Sequence, residues 1–211
     1  ADIYAIALDG KYGVNVDNVP MRGCSGTIFS RIGYSSISTT YDDIDTKLII
    51  LQFGGNAMPQ INSKDKAIWF SQEIEKQIQY FQRILPNCLI LFIGPSDMSK
   101  NIKGSMQTWP YLVDVKEEIK KVVLKNGAAF WDMFEAMGGE NSMPEWVKAK
   151  PSLATTDYIH FTQLGARKVS EMLSNSLMND YQLYKIRQHY KNIQEGKAIK
   201  NINLKKNGKK K

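Results

Sequence analysis

Asp157 and His160 stand three residues apart in the stretch TTDYIHFT (155–162). His160 is one of only two histidines, and the other, His189, lies in a lysine-rich end. In an Asp-x-x-His turn the carboxylate can reach the imidazole Nδ1, fix the tautomer and stabilise the imidazolium. Nε2 is then free to take a proton. Taken alone, the pair also fits a turn aspartate beside a packed histidine. Thr162 fits the N-cap of a helix opening at Gln163, which would hold the turn rigid.

Such a base serves a nucleophile, and acyl transfer also needs oxyanion donors. Asn56 follows an apolar run and two glycines in QFGGN (52–56). Gly54 and Gly55 allow backbone angles and close approach that other residues resist. The Asn56 amide could therefore point into a cleft, although a plain Gly-Gly-Asn turn has the same sequence. RGCSGT (22–27) offers the Gly26 N–H as a second donor, or a glycine needed only for a turn.

The elements that must position these groups follow from hydropathy. KLIILQF (47–53), CLILFIG (88–94) and AAFWDMF (128–134) are short, nearly continuous apolar runs, which suits parallel strands covered on both faces. Between them, residues 66–84, 110–125 and 163–178 carry apolar residues at three- and four-residue steps and read as helices. Strand–helix alternation on this scale predicts a three-layer α/β/α sandwich with a mostly parallel sheet. Ligands of such sheets bind beyond the strands' carboxyl ends. Residues 2–9 and 13–19 (GVNVDNV) read as two further strands with no helix between them. Asp97, in GPSDM, fits a helix cap better than a contact to a sugar hydroxyl. In FWDMFEAMGGENSMPEWV (130–147), Trp131 belongs to the strand pattern, while Met143 and Trp146 are expected to line the cleft.

The order RGCSG, LQFGGN, DYIHFT resembles the SGNH, or GDSL-type, serine hydrolases. The resemblance spans roughly residues 14–177. It implies a flavodoxin-like fold, Gly26 and Asn56 as oxyanion donors, and Asp157 and His160 as the base pair. One block of the family pattern is missing: no Gly-Asp-Ser follows a first strand, and residues 1–25 contain only Ser25. Superfamily members resembling peptidoglycan or polysaccharide O-acetylesterases carry a β-module inserted between the first two blocks. By that resemblance, residues 1–12 end a preceding or inserted β-module, 13–184 form the hydrolase-like domain, and 185–211 are a basic tail. The first strand and its serine are then expected upstream. The implied substrate is an acetylated polysaccharide or peptidoglycan, and the implied setting is secreted, periplasmic or cell-envelope. Two alternatives stand beside this: Ser25 as a displaced nucleophile, and a non-catalytic carbohydrate-binding or envelope module on the same fold.

Charge narrows the partners. The chain is +7 overall, but residues 185–211 hold ten Lys and Arg against Glu195 alone, a segment charge of +9. The remainder is therefore close to neutral, which argues against a nucleic-acid-binding body. No apolar run approaches the roughly 18 residues of a membrane span. Cys24 and Cys88 give neither a disulfide framework nor metal spacing, so no metal and no cofactor are expected.

Overall fold

The computed structural model describes residues 12–207. Among the described residues three parallel strands form the main sheet: β1 (Leu48–Gln52), β2 (Leu89–Ile93) and β5 (Ala129–Trp131), in that spatial order. Their register aligns Leu51 with Phe92, and Phe92 with Phe130. Because side chains alternate along a strand, these residues share one face. That face packs on α2 (Lys64–Ile84) and α3 (Leu112–Lys125), which also pack on each other. Ile93 and Trp131 point the other way. They join a second cluster with residues of α4 (Met133–Met137), α5 (Ser142–Lys148) and the first turns of α6 (Gln163–Asn207). Helices thus cover both faces, giving an α/β/α sandwich of the expected class. A shorter helix, α1 (Tyr34–Asp43), precedes β1.

Ser63 opens α2 by accepting from the Lys66 N–H, and the chain leaves the helix just before Pro86. Between β2 and α3 an antiparallel hairpin joins β3 (Ser99–Ile102) to β4 (Ser105–Thr108). Its two turn residues, Lys103 (φ 50°) and Gly104 (φ 89°), are both left-handed, as a tight hairpin requires. Asp97 is fully buried behind this hairpin. It accepts from the Thr108 hydroxyl at 2.8 Å, the Met143 N–H at 2.7 Å and the Ser142 hydroxyl at 3.5 Å. It therefore satisfies the first turn of α5, a helix distant in sequence, and anchors β4 in the same step. Burial pushes its carboxyl above the usual range, and these hydrogen bonds pull against that shift.

Several expectations need correction. Residues 13–19 are not a strand; Val14 and Val16 are 90% and 83% exposed. Alternation supplies propensity, but a strand needs a partner edge, and among the described residues none pairs there. The third run ends as a strand at Trp131, because the Asp132 side chain accepts from the Glu135 N–H and starts α4. The last helix does not stop at 178. It runs through position 184 without a break. The strand expected at 2–9 lies outside the described residues.

Replacing Asp97 with alanine strands two or more buried donors. The expected loss of stability is about 2 kcal/mol or more, with Asp97→Asn milder, as read by urea unfolding.

Candidate active site

The Asp157–His160 turn is built from the backbone outward. Ala154 and Phe161 form an isolated antiparallel bridge, the Thr155 N–H donates to the His160 carbonyl at 2.8 Å, and Tyr158 adopts a left-handed φ of 59°. Asp157 fills the resulting loop. Its Oδ1 accepts from the Thr155 hydroxyl at 2.6 Å and from the N–H groups of Ile159 (2.9 Å) and His160 (3.0 Å). Its Oδ2 lies 2.7 Å from His160 Nδ1. Desolvation pushes the Asp157 carboxyl up. The hydrogen bonds from Thr155, the His160 ring and the two backbone N–H groups outweigh it and hold the group well below the usual carboxylate range. An ionised partner makes Nδ1 the donor, so in the neutral ring the free lone pair is on Nε2. The His160 side chain is 75% exposed, and Nε2 has no hydrogen bond among the described residues.

The turn is anchored on three sides. The Ser99 N–H donates to the Tyr158 carbonyl at 2.9 Å, which ties the turn to the segment leaving β2. Ile159 packs on one core cluster, and Tyr158 and Phe161 pack on the other. The Thr162 hydroxyl accepts from the Gly165 N–H at 3.2 Å and donates to the Ser152 carbonyl at 2.8 Å, so the expected cap also clamps the preceding strand of chain. Gly165 comes so close to Leu153 that a Cβ there would sit 1.8 Å from its carbonyl oxygen.

On the other side of the candidate site, Gly26 (φ 82°) lies over Phe53, where a Cβ would meet the ring at 2.3 Å. The residue is glycine for both conformation and space. Gly54, left-handed at φ 127°, abuts Pro95 just past β2, and Asn56 follows in a 3-10 turn. The contacts Gly26–Phe53, Gly54–Pro95 and Ser99–Tyr158 run in series along the carboxyl ends of β1 and β2. They tie Gly26 to the residue that follows β1, the glycine turn after β1 to Pro95 after β2, and the start of β3 to the Asp157–His160 turn. Both prospective oxyanion donors are engaged by Cys24: the Gly26 N–H with its Sγ at 3.2 Å, the Asn56 amide with its carbonyl at 3.1 Å.

Ser25 is half-buried and shares no hydrogen bond with His160 among the described residues. Met143 and Trp146 do not line a cleft. They are 0% and 8% exposed, because α5 turns both inward against Ile93, Met133 and Met137. The Trp146 Nε1 donates to the Met137 carbonyl at 3.0 Å, and its ring tilts on Phe161 at 5.4 Å. Both support the turn from beneath. Thr155, which sequence reasoning passed over, carries the shortest hydrogen bond to Asp157; its signal was the Thr-x-Asp spacing of a side-chain-bonded turn. Among the described residues no cluster of three or more His, Cys, Asp or Glu could hold a metal ion.

No family model and no curated protein matches the chain. Among solved structures, one described as a peptidoglycan O-acetylesterase aligns with a TM-score of 0.64 and 26% identity, over 74% of this chain and 44% of its own. A Lactobacillus plantarum protein aligns at 0.48 and 16%, over 68% of this chain and 73% of its own. An acetyl xylan esterase aligns at 0.47 and 17%, over 68% and 75%. The fold is an SGNH/GDSL-like esterase fold, and the chain spans less than half the length of the first of these structures.

Two outcomes test the anchoring of the turn. Gly165→Ala should cost about 1–3 kcal/mol through overpacking against Leu153, seen as a lower unfolding midpoint. Because the folded-state pKa of Asp157 is depressed, its stabilisation is complete above the ordinary carboxylate pKa of about 3.9. It is lost as pH falls from there toward the folded value. Amide protection at Ile159 and His160 should fall over that range in the wild type and change little with pH in Asp157→Asn.

Proposed function

We propose that this chain is the downstream portion of a serine esterase that removes O-acetyl groups from cell-envelope or plant polysaccharide. The observation that carries the reading is the Asp157–His160 pair: an ionised carboxylate fixed by three donors, bound to Nδ1, with Nε2 open to solvent. In the intact enzyme His160 takes the proton of the serine hydroxyl as it attacks the ester carbonyl. It then returns a proton to the departing sugar oxygen. Asp157 orients the ring and offsets the imidazolium charge. The Gly26 N–H and Asn56 amide hold the tetrahedral oxyanion once the loop around Cys24 releases them.

The serine is assigned to a first strand upstream of this chain. That assignment is supported by the free edge of β1, which has β2 on one side and no strand on the other among the described residues. Leu48, Ile50 and Leu89 are exposed apolar residues on one face of the parallel sheet, the kind of surface that a helix following such a strand would cover. The likeness to a peptidoglycan O-acetylesterase structure supports the acetyl-ester substrate and an extracytoplasmic setting. No helix among the described residues is long and apolar enough to cross a membrane.

The chain as it stands should hydrolyse p-nitrophenyl acetate no faster than its Ser25→Ala variant. Extended upstream through a Gly-Asp-Ser block, it should release acetate from O-acetylated polysaccharide and lose at least about a thousandfold in rate on His160→Ala. Activity of the chain alone, abolished by Ser25→Ala, would move the nucleophile to Ser25. Absence of any such block in the upstream coding sequence would favour the binding module.

A further inference from the structure

α6 leaves the body part-way along its length. Its last packed apolar residues are Met172 and Leu173, and its last side-chain tie is Ser176, whose hydroxyl accepts from the Trp131 Nε1 at 3.2 Å. From Leu177 to Gly196 every residue except Gln188 is exposed, although the helix continues. A solvated helix of this length has no reason to carry large apolar residues in register. Yet Leu183, Ile186, Tyr190 and Ile193 follow one another at steps of three, four and three, and all are exposed. At about 100° per residue they fall within one narrow stripe. Lys185, Arg187 and Lys191 lie outside that stripe. Lys191 is 4.0 Å from Glu195, and the Lys185 ammonium sits 4.8 Å over the Tyr181 ring.

The spacing alone would also suit a second copy, since two such stripes make a short coiled-coil seam. Charge decides against that. The sequence from 185 to 211 carries +9, and pairing two copies would bring two such segments together. A soluble polyanion would satisfy the charge and leave the stripe in water. One kind of partner answers both features: a surface that is anionic outside and apolar just beneath. We propose that residues 183–196 of α6 bind peripherally to an anionic lipid bilayer, the stripe entering the headgroup boundary and Lys185, Arg187 and Lys191 facing the phosphates. The proposal is independent of the esterase reading.

Co-sedimentation of the full chain with vesicles tests it. Binding is expected to vesicles containing phosphatidylglycerol and not to phosphatidylcholine alone, and it should weaken with salt. The double variant Ile186→Ser/Ile193→Ser should reduce it about tenfold or more. Neither residue touches the body, so circular dichroism of the variant should match the wild type. Four results would overturn the proposal. These are no binding; equal binding to neutral vesicles; vesicle binding unaffected by the double variant and matched by a soluble polyphosphate; or a dimer in sedimentation equilibrium that the same variant dissolves.

Discussion

One carboxylate organises the candidate site of this chain. Asp157 uses one oxygen to close its own turn, on Thr155, Ile159 and His160, and the other to set the His160 ring. The same residue therefore fixes the backbone and the tautomer, so the turn cannot relax without releasing the imidazole. The turn in turn depends on how closely α6 approaches Leu153, which Gly165 alone permits, and on the bond from Ser99 to Tyr158. Met143 and Trp146 fill the space below. The Asp157–His160 turn is thus held by contacts drawn from β3, α5 and α6.

The side that carries Gly26 and Asn56 has a different character. Gly26 is locked by its fit to Phe53, but its N–H and the Asn56 amide are both spent on Cys24. These bonds are to a sulfur two residues away and to a half-exposed loop, so exchanging them for an oxyanion costs little beyond the loop's rearrangement. The neighbouring edge of β1 is open, and exposed apolar side chains lie on β1 and β2. A strand added there would lie beside the loop that must move. In the reading proposed here, completing the sheet and freeing the donors are one event.

Much of this was legible in the sequence, for physical reasons. The runs at 47–53 and 88–94 are buried by helices on at least one face, so burial wrote them as continuous apolar residues. Asp157 and His160 were legible because the turn that joins them is local. What escaped notice depended on distant contacts. The β3–β4 hairpin is polar and partly exposed, so it carries no apolar signature. Met143 and Trp146 look like loop residues until α5 folds them inward. Thr155 acts through a single hydroxyl. The valines of 13–19 have the pattern of a strand, but pattern cannot supply the edge that a strand needs.

The central claim is that Asp157 fixes the tautomer of the neutral His160 ring, with the proton on Nδ1 and the lone pair on Nε2. Nitrogen-15 NMR of the neutral histidine ring tests it most directly. The account predicts that in the neutral ring Nδ1 carries the proton and resonates well upfield of an unprotonated Nε2, with that preference lost in Asp157→Asn. A neutral ring protonated on Nε2 in the wild type, or a tautomer indifferent to the substitution, would contradict it.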